Sequence, residues 1–426
     1  MKNYQIVIHI FALLFLNKTF TYAQDTLETT KKHPKLYQIQ QKYLNWVDKK
    51  DKEMPFALPV IAGNKYDGVQ IGAAVINLRQ PVKNIDFSSV LLYGTKSKKV
   101  NGIADIAYYI EPKNEVLNKI KIATNFKSFS NAISPNKLKY YALKPELEFQ
   151  LFSKKNSKIT HTINFKSNLI FEQGKVYFSF NHNADSTLKR FYANNLTYTF
   201  DFKNKNYPFN IQLQLEQSKQ LLKLGIEANA FIRYQLKDYN TGLHVRFFSG
   251  SILYQNSTFR PRSFPNYGYT ISGTTGLNDY KYNNFYFGRN ETEGLSSRQI
   301  SANDGFMKLT TPANKNYQEG RTLNYLLAIN IVLDFPIPHI PIKLFADFGY
   351  ASDKKIHTIQ NLPFNKFYYD AGLMFSFFNR GLEFYIPFIM NKERDTPKRP
   401  KLGQRISFLV DMQKLTLHKQ IRKMQF

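Results

Sequence analysis

Cysteine is absent from the 426 residues, which excludes a disulfide-stapled fold, a thiolate metal site and a cysteine nucleophile. Tryptophan occurs once, and acidic residues are scarce, with 31 Asp plus Glu against 59 Lys plus Arg for a formal net charge of +28. No apolar run reaches the ~20 residues that a membrane-crossing helix requires. No Gly-x-Ser-x-Gly elbow, phosphate-cradling Gly-x-x-x-x-Gly-Lys loop or dinucleotide fingerprint occurs, and no cofactor is implied. Abundance lies elsewhere: 37 Phe and 28 Tyr raise the aromatic share to 15%, and a hydrophobic share of 43% argues against a disordered chain.

The N-terminus reads as an export signal over 1–23. Lys2 supplies the positive end, Ile6 to Leu16 the short apolar core, and Thr21-Tyr22-Ala23 the small-residue site, with the cut before Gln24. Residues 24–66 are polar and Lys-rich and read as a periplasmic lead segment. Tyr37, Ile39, Tyr43, Trp46 and Val47 fall roughly on one helical face there.

Beyond Gly68 the dominant period is two. Phe209, Ile211, Leu213 and Leu215 alternate with Asn210, Gln212, Gln214 and Glu216, and similar alternation occupies 147–151, 196–202, 323–334 and 367–377. A strand sends successive side chains to opposite faces, so each segment has one apolar face. A soluble sandwich would bury that face, whereas an outer-membrane barrel would turn it to lipid and its polar face inward. Three features favour the barrel: segments of roughly 10–16 residues against the ~9–11 needed to cross, Tyr and Phe at strand ends such as Phe285-Tyr286-Phe287, Phe367-Tyr368-Tyr369 and Tyr140-Tyr141, and the export signal. The expected fold is all-β, a transmembrane antiparallel barrel over 67–412 of about 16 strands (range ~12–16). The count includes a doubtful strand at 175–183 and a last strand at 403–412. With 68–79 as the first, outward strand, loops 255–320, 352–365 and 391–402 face outside. Residues 413–426 read as a basic periplasmic tail.

Two stretches resemble a known family. The first is Leu58-Pro59-Val60-Ile61-Ala62-Gly63-Asn64-Lys65-Tyr66-Asp67-Gly68 with Gly72, Leu92-Tyr93-Gly94 and Asn101-Gly102. The second is Asp279-Tyr280, Phe287-Gly288-Arg289, Gly294, Gln299-Ile300 and Asp304-Gly305-Phe306. Together they resemble the C-terminal β-barrel of Bacteroidota gluzincin (aminopeptidase-like) metallopeptidases. The resemblance implies the membrane domain without the enzyme, because the His-Glu-x-x-His that supplies two zinc ligands and a general base is absent. It implies an outer-membrane pore, or an anchor for a separately encoded exported peptidase. A membrane-embedded lipase or protease is the alternative.

Loop 255–320 is the best functional candidate, since connections this long are usually functional or disordered. Asp279, Arg289, Gln299 and Asp304 within it, and His244 and Arg246 on the adjoining strand, are the candidate residues. The functional reading folds this loop into the interior as a plug or constriction with Arg289 paired to an acid; the alternative is a mobile surface loop. Glu146, Glu148, Gln150, Glu216, Lys343, Asp347 and Asp370 are expected to line the interior with His244 and Arg246. Scattered lysines, as in Lys96-Ser97-Lys98-Lys99, suit outer-membrane lipid and lipopolysaccharide phosphate. Their scatter and the export signal weigh against nucleic acid. Oligomeric state is not legible, and a monomer is the working assumption.

Overall fold

Period-two segments that each carry one apolar face assemble by pairing side by side. The computed structural model describes residues 55–77, 84–112, 116–131, 138–152, 158–173, 188–234, 241–256, 267–309, 313–314, 317–318, 320–335, 340–353, 364–378, 380–391, 401–411 and 414. The export signal, the helical stretch near 35–51, the doubtful strand 175–183 and the tail beyond Lys414 lie outside the described residues.

Among the described residues sixteen strands follow one another as a meander: β1 (Pro55–Asn64), β2 (Gly68–Asn77), β3 (Ile85–Gly94), β4 (Lys99–Ile110), β5 (Leu117–Ser130), β6 (Lys139–Phe152), β7 (Ile159–Gln173), β8 (Leu188–Phe202), β9 (Phe209–Ser218), β10 (Leu221–Arg233), β11 (Gly242–Gln255), β12 (Tyr325–Asp334), β13 (Ile342–Asp353), β14 (Phe364–Phe377), β15 (Leu382–Met390) and β16 (Ser407–Val410). Each pairs antiparallel with the next. Two short segments of the long loop, Thr274–Thr275 and Gln299–Ser301, bring the sheet to 18 strands. The protein is therefore all-β and built on one continuous antiparallel sheet of barrel type, not on two packed sheets. Among the described residues β1 and β16 do not pair with each other. The outer edge of β16 is taken instead by the loop, with Gln299 and Ile300 running parallel to Phe408 and Leu409.

Several expectations need correction. The sheet starts at Pro55, inside the segment read as a lead. Val60 and Ala62 pack inward while Ile61 is exposed outward, so both faces of β1 are apolar and no polar alternation marks it. Pro59 lacks an N–H and suits an edge strand. β7 pairs directly with β8, Gln173 opposite Leu188. The outward-running first strand is thus Pro55–Asn64, and 68–77 runs back. Loops 255–320, 352–365 and 391–402 still share one end. The segment read as strand 403–412 begins with a helical turn, Leu402–Arg405, and only Ser407–Val410 pairs. Arg321 and Thr322 belong not to β12 but to a small ladder with Tyr269 and Thr270. Phe285-Tyr286-Phe287 is no girdle: the segment lies in the loop, and Tyr286 is buried with its hydroxyl donating to Thr274 O.

The two faces differ as the alternation requires. Outward residues such as Ile71, Leu91, Ile106, Ile122, Leu213 and Phe367 are 41–60% exposed. Inward residues include charges that are almost fully buried, among them Lys144, Asp347 and Asp370. This inverts the soluble pattern, in which large apolar groups fill the interior and ions are rarely buried.

Candidate functional site: a loop folded against the inner face

Residues 267–309 explain how charged side chains come to be buried on the inner face. The loop makes contacts with the turn after β1, with β5, β6, β7, β9, β10 and β11, and with β12 through β16. Lys65 pairs with Glu291 and the Tyr66 hydroxyl accepts from Asn290 N (2.8 Å). Lys127 Nζ donates to Asn283 O (2.5 Å), and Lys144 Nζ to Tyr282 O and Asn283 Oδ1 (both 2.8 Å). The Tyr282 hydroxyl donates to Glu172, and Lys281 Nζ lies 2.6 Å from Glu216 Oε2. A segment that touches both ends and the middle of one sheet requires that sheet to curl around it.

Asp279 and Arg289 form the centre of the loop. Both side chains are 4% exposed, with Arg289 Nη2 3.1 Å from Asp279 Oδ2. The guanidinium also donates to Asp279 O (3.0 Å) and Asn284 O (2.6 Å). Its face lies 4.2 Å from the Tyr282 ring centre, 5.0 Å from Tyr286 and 5.4 Å from Tyr140. A planar cation suits such a stacked, forked setting better than lysine would. Burial pushes the Asp279 carboxyl up, but Arg289, Lys144 and the amides of Asn284 and Asn283 outweigh it and hold the carboxyl below its usual range. Backbone proximity is enforced at Gly276, where a Cβ would sit 2.5 Å from both Arg289 Cα and Arg289 O.

Gln299 belongs to the same cluster. Its side chain accepts from Phe287 N (2.9 Å) and donates to Phe285 O (2.7 Å), tying the aromatic segment to the strand that borders β16. Asp304 stands apart: its carboxylate accepts from Thr270 N and Oγ1, both at 3.2 Å. Burial raises its pKa, and Lys223, Lys281 and the Thr270 bonds offset this only in part. Arg246 reaches the Asp304 backbone, not its carboxylate, donating to Asp304 O (2.8 Å), Asn330 Oδ1 (2.9 Å) and Glu227 Oε2 (2.7 Å). His244 does not join either group; its Nε2 lies 3.3 Å from Asp334 Oδ2 near the short-turn end.

The sequence reading missed a third anchor. Lys308, 1% exposed, reaches Asp347 Oδ1 and Phe306 O at 3.0 Å each. Asn330 donates to the same Asp347 oxygen, and the neighbouring Asp370 accepts from Leu309 N. Asp347 and Asp370 sit opposite one another in the ladder. Alternation had marked both as inward; nothing local marks Lys308, whose partner lies 39 residues away in sequence. Lys144 was legible in principle, two residues before Glu146 on the inward face of β6.

Below the loop, toward the short-turn end, lies a cavity of about 440 Å³ bordered by Asp201, Glu227, His244, Arg246, Phe306 and Arg380. Among the described residues no group of three His, Asp or Glu is placed to hold a metal ion. The arrangement is suited to holding the loop in place.

No family model and no curated protein sequence matches the chain. Among solved structures it is similar to BamA from Haemophilus ducreyi lacking POTRA domains 1–3, with a TM-score of 0.45 at 11% identity, over 81% of this chain and 68% of that one. It is also similar to CdiB from Acinetobacter baumannii, with a TM-score of 0.40 at 14% identity, over 79% of this chain and 57% of that one.

Proposed function

We propose that this chain is an outer-membrane β-barrel whose interior is closed by its own loop. The observation that carries the reading is the inversion of faces: an outer surface of exposed Ile, Leu, Phe and Tyr over an inner face of buried ions. In lipid the backbone groups of such a sheet are satisfied by its ladders, and the apolar belt meets hydrocarbon. The strands β4 to β11 have 10–15 residues, enough for the ~9–11 of a tilted crossing. The export signal read at 1–23 is consistent with this location. The end bearing the long loops would face outward and the short turns the periplasm.

The buried loop favours a closed conduit or a membrane anchor over an open pore. Outer-membrane lipid and lipopolysaccharide would surround it, and the resemblance of its motifs to gluzincin-associated barrels makes a separately encoded exported peptidase the proposed partner. The chain would act as a monomer and without enzymatic activity of its own.

Two measurements test the proposal. Membrane-extracted protein run in SDS with and without boiling should shift in mobility, and the protein should stay in the membrane through a carbonate wash. Absence of the shift together with release by carbonate would overturn the membrane reading. In planar bilayers the intact protein should be nearly silent, and a variant with the loop anchors removed (R289M with K308M) should conduct. Steady conductance from the intact protein would overturn the plug.

A further inference from the structure

The lipid-facing side of the sheet is not uniform. On β10 two successive outward positions are Ala228 and Ala230. Register sets Ala228 between Ile211 and Phe247, and Ala230 between Phe209 and Val245. Two methyl groups therefore floor a trough whose walls are large side chains. The trough measures about 280 Å³. Strands lie ~4.8 Å apart, so the two walls stand roughly 10 Å apart at the backbone, which leaves room for a single hydrocarbon chain between their side chains.

The trough runs toward the short-turn end, where Tyr207 stands at its mouth, 51% exposed. The turn just beyond is basic. Lys158, Lys203 and Lys205 are all exposed there, and Lys203 N donates to Lys158 O (2.7 Å), which holds the two segments together. Asn204 Oδ1 accepts from Asn206 N (2.9 Å) and Tyr207 N (3.3 Å), so the turn is built rather than loose. Asp201 and Lys203, two residues apart, both border the interior cavity instead, which leaves Lys205, two residues before Tyr207, as the turn's cation beside the mouth. An apolar slot with an exposed lysine beside its mouth matches a molecule with a hydrocarbon tail and an anionic head.

We infer that this trough seats one acyl chain of an anionic glycerophospholipid, with its phosphate on Lys205. The inference rests on the membrane reading above and deepens it. The long-loop end faces outward in that reading, so the seat lies in the periplasm-facing leaflet. Ala at 228 and 230 then has a purpose that belt-filling Leu or Ile would defeat, and the neighbouring outward positions Leu224, Ile226 and Ile232 are large.

The test uses the full chain in mild detergent, titrated with phosphatidylglycerol or phosphatidylcholine and read by native mass spectrometry. One phosphatidylglycerol should persist per chain after the annular lipid has been stripped. The A228L/A230L variant should retain it at least ~10-fold less, as expected for ~1.4 kcal/mol of lost contact. K205E should weaken phosphatidylglycerol by roughly 5-fold, since a basic residue at an anionic surface contributes about that factor, and leave phosphatidylcholine unchanged. Equal retention of the two lipids, or equal retention by the native and A228L/A230L proteins, would overturn the inference. Phosphatidylglycerol with a diazirine on its acyl chain supplies a readout independent of any variant. Crosslinks should concentrate in peptides spanning 207–211, 228–232 and 245–247, and uniform labelling around the sheet would overturn the inference. A protein that passes the heat-shift and carbonate tests yet holds no lipid refutes the seat alone. One that fails those tests refutes the membrane reading.

Discussion

Removing Arg289 should release the central part of the loop while leaving the sheet folded. R289M keeps much of the side-chain length but deletes the charge. It strands Asp279, whose side chain is 4% exposed, and takes away the donors to Asp279 O and Asn284 O. Breaking a buried pair from one side costs about 3–5 kcal/mol. The Asn283 and Asn284 amides remain on the carboxylate, which places this case near the lower bound. Roughly 3 kcal/mol raises the population of the opened loop by about 100-fold. Trypsin reads that population when opening and closing are fast relative to cleavage, because Lys281 and Lys308 are loop sites held in ion pairs with Glu216 and Asp347. Cleavage at Lys281 should therefore accelerate by about 100-fold, with the heat-modifiable sheet intact. D279N/R289M removes both charges and should cost clearly less than the two single changes summed, with a coupling of about 2 kcal/mol. Unchanged trypsin protection in R289M, or strict additivity in the double variant, would refute the assignment of the pair as the loop's central anchor.

Four further outcomes are expected. G276A should loosen the same cluster, since its new methyl would lie 2.5 Å from the Arg289 backbone; overpacking of this kind costs about 1–3 kcal/mol, read by the same trypsin assay. Acidification should release the loop, because the folded-state pKa of Asp279 is lowered: its contribution is present above the unfolded value near ~3.9 and lost as pH falls through the folded one, so protection should decline below about pH 4. Asp304 runs the other way, its pKa being raised by burial, so its carboxylate costs stability as pH rises through the folded value; D304N, which keeps an oxygen for Thr270, should leave protection at pH 7 unchanged or slightly improved. L213R on the outer face should impair insertion by about 2–4 kcal/mol, whereas Q212R one residue away on the inner face should be tolerated, as measured by the fraction of heat-modifiable protein in lipid vesicles.

The particular residues show why some features were legible and others not. Gln212, Gln214 and Glu216 fixed their own facing through alternation, because a strand's side-chain period is two whatever the partner strand. The inward placement of Asp347 and Asp370 followed in the same way. Alternation failed at β1, where both faces are apolar, and at Ser407–Val410, where only four residues pair.

The sequence by itself determined the class of fold, the two faces of most strands and the loop most worth attention, since these depend on local period, composition and length. Tertiary structure alone decided that the loop folds inward, that Asp279 rather than Glu291, Glu293 or Asp304 holds Arg289, that Lys308 meets Asp347, and that the loop rather than β1 lines the edge of β16. Those outcomes depend on which buried charge finds a partner when a curled sheet packs against a chain segment. Burial makes an unpaired ion costly wherever it sits, but only the fold sets which opposite charge lies within reach.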